Sequence, residues 1–275
     1  MMSKTDHFVS ERRALIYAQL LRHGRVLAQE LAQTFDVSED TVRRDLREMA
    51  ARGECERVYG GALLASGTTV PLKTRMGEMP DRKATLGQAA TSFVQDGMIV
   101  FLDAGSTNLA IAKNLAVGLK LTIVTNTPAI AAELAGNADI ELILIGGRVD
   151  PAVGAAIDTT AIRQLELIRP DLCIVGVCGL TLDRGLCADI YEDAVFKRLA
   201  CETSAKTLAA VTSEKLGAAA AFQVASLSST LTLVLEEDAD RDMIGTLADT
   251  GATIHQAVSL SGISSHMQVS KDQSL

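Results

Sequence analysis

The chain has 275 residues, 48% hydrophobic but only 3% aromatic, with 26 Lys plus Arg against 34 Asp plus Glu and a formal charge of −8. That length accommodates a small domain plus one of about 200 residues with an aliphatic core. No apolar run reaches the roughly 18 residues that a spanning helix needs, and the opening MMSKTDHFVSERR has no apolar leader, so no membrane partner and a cytoplasmic location are expected.

Taken in chain order, Glu11 to Arg22 places Leu15, Ile16, Leu20 and Leu21 at helical spacing, and Gly24 can end that helix. Ala28 to Phe35 predicts a short second helix with Leu31, Ala32 and Phe35 as its apolar stripe. The third, in VSEDTVRRDLREM, separates two faces. With Val42 at zero on a helical wheel, Leu46 and Met49 fall within roughly 40°, whereas Arg43, Arg44 and Arg47 centre near roughly 150°. Ser38 sits where an N-cap belongs, and Thr41 lies in the first turn, the end of a recognition helix that meets base edges. ECERVYGGALL then reads as a strand, a turn at Gly60 and Gly61, and a second strand, with Arg57 on the first of them. Helix, helix, turn, arginine helix and wing make a winged helix-turn-helix, assigned to residues 1–64, whose partner is double-stranded operator DNA.

Charge distribution supports that assignment. Residues 1–63 hold 10 basic and 10 acidic side chains, so the remaining 212 residues, with 16 against 24, carry the entire −8. Phosphate repels an acidic body, and only the N-terminal module escapes the penalty.

Residues 65–81, ASGTTVPLKTRMGEMPD, with two glycines, two prolines and no sustained period, read as a linker. From residue 82 to 258 helix-like and strand-like segments alternate: a helix about Ala84 to Phe93, a strand Met98 to Leu102, a helix Leu109 to Ala116 and a strand Leu121 to Val124. Further strands are expected at Ile140 to Ile145, Leu172 to Val177, Thr207 to Val211 and Leu231 to Leu235. Continuous apolar strands between helices predict an α/β domain with a parallel-rich sheet covered on both faces. Residues 259–275 read as a polar, disordered tail. The five cysteines form no CxxC pair and the four histidines are scattered, so no disulfide framework, metal or cofactor is expected.

In such a sheet ligands bind beyond the carboxyl ends of the strands. After MIVFL comes DAGSTN, where Asp103, Gly105, Ser106 and Thr107 open the next helix with backbone N–H groups and two hydroxyls suited to a phosphate. Thr125 and Asn126 follow the next strand, and Gly146, Gly147 and Arg148 the one after. No GxxxxGK[ST] sequence is present, so P-loop nucleotide hydrolysis is not supported.

From about Ser10 to Ala257 the chain resembles the DeoR family of bacterial transcriptional regulators, through VSEDTVRRDL, RVYGGA, DAGST, TN, IGGR, GVCG, EDAVFKR and SEKLG. The resemblance implies a winged-helix domain joined to a sensor domain similar in fold to ribose-5-phosphate isomerase, which senses a phosphorylated sugar or related metabolite. It assigns Asp103, Gly105, Ser106 and Thr107 to a phosphate turn and Asn126 to the pocket lining. Glu192, Lys197 and Lys215 match polar positions that close the pocket. Three residues depart from the family pattern: Cys178 in GVCG stands where many members have aspartate, Tyr59 replaces a common histidine, and Leu27 stands where Ser or Thr usually caps the second helix. The implied function is a repressor of a carbohydrate-utilisation operon, acting as a dimer or tetramer. The alternative class is a sugar-phosphate isomerase-like enzyme with an accessory DNA-binding domain and Glu192 as its base; Cys178 and the fused DNA-reading module weigh against it.

Overall fold

A computed structural model describes residues 9, 12–17, 19–20, 25–64 and 72–258. The chain divides into two compact units, Met1–Val70 and Pro71–Leu275.

In the first unit, residues 12–17 and 19–20 are helical, followed by helix α1 (Ala28–Phe35) and helix α2 (Glu39–Ala51). Ile16, Leu20, Leu31, Val42, Leu46 and Met49 close into one core, as the helical spacing predicts. Leu15, expected on that stripe, is 51% exposed, because its neighbour Ile16 takes the buried position; Leu21 and Gly24 lie outside the described residues. No side chain caps α1 at Leu27, but the Ala28 N–H donates to Gly60 O at 2.8 Å, so the wing turn satisfies an orphan donor there. The wing is a sheet of three strands rather than two: β1 (Arg25–Leu27) pairs antiparallel with β3 (Gly61–Leu64), which pairs with β2 (Cys55–Val58). Three residues are too few for a periodicity to reveal β1.

Asp45 is the buried charge among the described residues of this unit. Its two carboxylate oxygens accept from Arg12 Nε at 2.7 Å and Arg13 Nε at 2.8 Å, which ties α2 to the first helical segment.

The second unit opens with helix α3 (Leu72–Arg75) and helix α4 (Pro80–Thr91), then alternates β4 (Ile99–Leu102), α5 (Ser106–Lys113), β5 (Leu121–Thr125), α6 (Pro128–Leu134) and β6 (Ile140–Leu144). A hairpin of β7 (Val149–Asp150) and β8 (Ala155–Ala156) precedes α7 (Thr159–Leu165) and β9 (Leu172–Ile174). Strands β10 (Gly179–Thr181) and β11 (Gly185–Ala188), helix α8 (Tyr191–Thr203), β12 (Lys206–Val211), β13 (Phe222–Ala225), β14 (Leu231–Glu236), α9 (Arg241–Asp249) and β15 (Thr253–Ala257) complete it.

Seven strands form one wholly parallel sheet in the order β15-β14-β12-β9-β4-β5-β6. Val100 and Leu102 of β4 pack on one face with Leu86 of α4 and Ile111 of α5, while Phe101 packs on the other with Phe196 of α8. Strand order departs in opposite directions from the β4/β9 pair, so the topological switch point lies at their carboxyl ends.

Several expectations are corrected. The segment read as a linker contains α3 and the start of α4, because Pro80 occupies the first helical turn, where its missing N–H costs nothing. Leu72 of α3 is buried, and its side chain lies where a Cβ on Gly154 would fall, 2.7 Å away. Helix α5 begins at Ser106, not Leu109. The strand expected to run to Val177 leaves the ladder after Ile174, as Gly176 turns its N–H onto the Asp103 side chain. Strand β15 and the antiparallel sheet β10-β11-β13 were not foreseen; TIHQA has the polarity of an edge strand. The tail expected over 259–275 lies outside the described residues.

Replacing Asp45 with Ala should strip two arginines of their shared partner and weaken the N-terminal unit by about 3 kcal/mol, the low end for a broken buried pair since both guanidinium groups keep some solvent. Hydrogen exchange of the α2 amides in the full chain measures this, and unchanged protection would show that Asp45 is dispensable.

Candidate functional site: a cationic helix face and a charged cluster at the sheet switch point

On α2 the Ser38 hydroxyl accepts from Thr41 N–H at 3.2 Å and lies 2.9 Å from the Thr41 hydroxyl, so the expected cap is formed. Arg43, Arg44 and Arg47 are all exposed on the face opposite Val42, Leu46 and Met49. Arg43 is held within its own helix by Glu39 at 2.7 Å and Asp40 at 3.5 Å. Arg44 and Arg47 have no ion-pair partner among the described residues, which leaves them the freer cations of the face. Arg57 is exposed on wing strand β2.

In the second unit the cluster is built at the ends of β4 and β9. Asp103, directly after β4, has no exposed surface; its Oδ2 accepts from Gly176 N–H at 2.9 Å and lies 3.4 Å from Lys197 Nζ. Gly176 is required for that approach, since a Cβ there would sit 2.3 Å from Ala104 O. Lys197 also donates to Asp193 Oδ2 at 2.6 Å, one turn earlier on α8. Asp103 Oδ1 and Asp193 Oδ1 are buried and without a hydrogen-bond donor among the described residues. Burial opposes the charge on Lys197, but Asp103 and Asp193 outweigh it and hold the ammonium above lysine's ordinary range.

Asn108 of α5 donates to Asp103 O at 2.9 Å and Ile174 O at 3.2 Å, stitching the two strand ends together. Beside them Gly105, at the N-cap of α5, supplies no side-chain cap; Thr107 is buried and Ser106 half-buried. The helix therefore presents the uncapped amide end that the DAGST sequence predicts.

Lys215, in a short 3-10 turn after β12 (Ser213–Lys215), donates to Val177 O at 2.8 Å, which brings it to the end of β9. That turn is fixed from α4: Arg82 Nε donates to Glu236 Oε1 at 2.7 Å, and Glu236 Oε2 accepts from Ser213 N–H at 2.6 Å. Burial lowers the pKa of Lys215, Cys178 adjoining it raising that value and Arg75 lowering it. Lys83, on α4, donates to Arg75 O at 2.6 Å, and burial lowers its pKa to about 8. Burial also pushes the Cys178 thiol up, against the pull of Lys197.

Asp103, Lys197 and Lys215 are thus drawn together, with Gly105, Ser106 and Thr107 on the adjoining turn. Asn126, after β5, is buried, donates to Ala156 O at 3.3 Å and keeps an unpartnered Oδ1 among the described residues. Gly147 and Glu192 stand apart from the cluster. Gly147 (φ 147°) backs onto Asp158, whose Oδ1 would lie 2.5 Å from a Cβ there, and so serves the turn in which Arg148 N–H donates to Asp158 Oδ2 at 3.0 Å. Glu192 is exposed and lines a cleft of about 450 Å³ with Arg148, Asp158 and Tyr191. Sequence reading missed Asp193, Asn108 and Arg75. Asp193 was legible: of the adjacent acids in EDAVFKR, only Asp193 is four residues before Lys197 and so on its face.

The profile of the DeoR C terminal sensor domain matches residues 78–237, and that of the DeoR-like helix-turn-helix domain matches residues 12–68. The HTH-type transcriptional regulator IolR of Bacillus subtilis is 31% identical over 66% of this chain and 72% of its own. The glycerol-3-phosphate regulon repressor of Escherichia coli is 30% identical over 75% of this chain and 82% of its own. The HTH-type transcriptional repressor GlcR of Bacillus subtilis is 29% identical over 80% and 86%. Among solved structures, ribose 5-phosphate isomerase A from Methanocaldococcus jannaschii aligns at 15% identity with a TM-score of 0.38, over 50% of this chain and 54% of that one. These relatives are regulators and not enzymes, and no helix among the described residues is long and apolar enough to cross a membrane. An exposed arginine helix with its wing, joined in one chain to a sensor domain, places the protein in the DeoR family of transcriptional regulators.

Proposed function

We propose that this regulator represses a carbohydrate-utilisation operon, and that a phosphorylated sugar or related metabolite bound at the carboxyl ends of β4, β9 and β12 controls its affinity for operator DNA. The observation that carries the sensor half is the meeting of the uncapped α5 amide end with Lys197 and Lys215 at the switch point. An anion there gains helix-terminal N–H donors and ammonium groups, while the free oxygens of Asp103, Asp193 and Asn126 can accept from hydroxyls of the same ligand. The Escherichia coli relative, named for a glycerol-3-phosphate regulon, is consistent with an effector of that chemistry.

For the DNA half, α2 enters the major groove with Ser38 and Thr41 at its leading end, Arg43, Arg44 and Arg47 facing bases and phosphates, and Arg57 on the wing reaching the backbone. We infer a homo-oligomer, a dimer or tetramer, which would read two half-sites about 34 Å apart on one face of the duplex.

Arg44→Ala and Arg47→Ala should weaken operator binding, by about 1–3 kcal/mol where the side chain reads a base and with a shallower salt slope where it meets phosphate. Arg43→Ala should cost less than either, because Glu39 competes for its guanidinium. If operator footprints of Arg44→Ala and Arg47→Ala match the wild type in affinity, the assignment of α2 as the reading helix is wrong.

For the sensor, allosteric coupling is typically about 1–3 kcal/mol, so a saturating effector should shift wild-type operator affinity by roughly 5- to 150-fold. Gly105→Leu and Lys215→Glu should bring that shift close to one while leaving affinity without effector nearly unchanged. Fluorescence anisotropy on labelled operator, with a series of sugar phosphates added, reads both quantities. A wild-type shift in both variants would remove the α5 turn and Lys215 from the effector site.

A further inference from the structure

We propose that the free edge of strand β6 is the surface through which two copies of this chain associate, their sheets joining antiparallel across a two-fold axis at Ile143; this rests on the homo-oligomer inferred above. The seven-stranded sheet ends at β6 on one side and at β15 on the other. The two edges differ in kind. On β15, TIHQA, the exposed positions are the polar Thr253 and Gln256. On β6, IELIL, Ile143 and Leu144 are 38% and 47% exposed. Edges that face water are commonly guarded by lysine, proline or a bulge, and β6 has none of these.

Backbone hydrogen bonds show which groups of β6 are open. Leu121 N–H donates to Asp139 O at 3.1 Å at one end of the strand, and Ile145 N–H donates to Thr125 O at 2.8 Å at the other, so residues 139 and 145 both face β5. A residue's N–H and C=O share one side of a strand and the sides alternate. Glu141 and Ile143 therefore face β5 as well, while Ile140, Leu142 and Leu144 face outward. The outward row is closed at both ends. Ile140 N–H donates to Asn137 O at 3.2 Å, and Gly146 N–H and O are both taken by the Gln164 side chain, at 3.1 and 2.9 Å. Between those ends the N–H and C=O groups of Leu142 and Leu144 have no partner among the described residues.

This open set is symmetric about Ile143, which is the reason for a second copy as the occupant. Antiparallel pairing on that axis sets Leu142 opposite the partner's Leu144 and Leu144 opposite the partner's Leu142, so every open N–H of the two strands finds a carbonyl. Moving the axis to Leu142 sets Leu144 against Ile140, and moving it to Leu144 sets Leu142 against Gly146; in both cases an N–H that the pairing needs is already taken. Charge agrees with the Ile143 axis. Glu141, the one charged residue of the strand, then lies opposite the partner's Ile145 rather than its own copy, and Thr122 Oγ1 of its own sheet donates to it at 3.3 Å. Ile143 would meet its own copy on one face of the joined sheet, and Leu142 the partner's Leu144 on the other. Apolar cross-strand pairs of this kind are what hold antiparallel neighbours together.

The test uses the full chain. Sedimentation velocity over a range of micromolar concentrations establishes whether the wild type self-associates. Ile143→Lys sets two ammonium groups against each other at the axis while keeping the N–H that faces β5, so it should weaken association at least about tenfold or reduce a tetramer to a dimer. Ile143→Cys should cross-link into a disulfide dimer under copper phenanthroline, because residues on the axis form a non-hydrogen-bonded pair with Cα atoms about 4.5 Å apart, within disulfide reach. Thr253→Cys on the β15 edge and the wild type, with its own five cysteines, serve as controls and should cross-link far more slowly. Wild-type association in Ile143→Lys overturns the proposal, and so does an Ile143→Cys protein that cross-links no faster than Thr253→Cys; the cysteine variant decides alone if the lysine variant fails to fold. A wild type that is monomeric throughout overturns the homo-oligomer reading itself, whereas an oligomeric wild type with either negative result overturns only the β6 interface.

Discussion

The sensor domain depends on one ammonium buried between two carboxylates. Lys197 reaches both Asp103, at the end of β4, and Asp193, one turn back on its own helix, and none of the three has appreciable contact with water. Removing a single partner would leave a buried charge uncompensated, at a cost of about 3–5 kcal/mol, so the three stand or fall together. Their geometric consequence is that α8 is locked in phase with the end of β4. Phe196, beside Lys197, then packs on Phe101 with ring centroids 5.9 Å apart, continuing the same registration into the apolar core.

The same device appears in the DNA-binding unit with the signs exchanged. There one carboxylate, Asp45, holds two arginines, and the helix it belongs to is the one whose opposite face carries Arg43, Arg44 and Arg47. The buried side of α2 is thereby fixed by charge as well as by Leu46 and Met49, and its rotation about its axis is set. That rotation decides which side chains can reach a groove. In both units a buried ionic contact fixes the phase of a helix.

Legibility in the sequence followed the strength of the period. Strands β4, β5, β12 and β14 are continuous apolar runs, and each was found within a residue or two. The α2 wheel placed its arginines correctly because Val42, Leu46 and Met49 leave no second solution. Elements fixed by tertiary contacts were not visible: β1 exists because Val26 pairs with Ala62, and α3 because Leu72 meets Gly154. In the site, Asp103 followed from its position after a strand. Arg75, whose backbone oxygen accepts from buried Lys83, lay in a stretch whose glycines and prolines read as linker. Glu192 and Asp193 differ by one residue, or about 100° of helix, and the resemblance selected the exposed one.

Charge placement also bears on what the sensor can bind. The body after residue 63 has 16 basic against 24 acidic side chains, yet two of the basic ones, Lys197 and Lys215, are brought to the strand ends at the switch point. Burial lowers the pKa of Arg75, Lys83 and Lys215, so keeping them protonated costs the folded state free energy in the absence of an anion. For Lys83, whose pKa falls from 10.5 to about 8, that cost is present in full below pH about 8 and fades as pH rises towards 10.5. An anion that enters would offset the desolvation already incurred, so its binding energy would appear as added stability of the folded state. An uncharged sugar could satisfy the free oxygens of Asp103, Asp193 and Asn126 but would leave Lys215 on the Val177 carbonyl. The effector proposed above, with hydroxyls for the free acceptors and an anionic group for Lys215, fits both features.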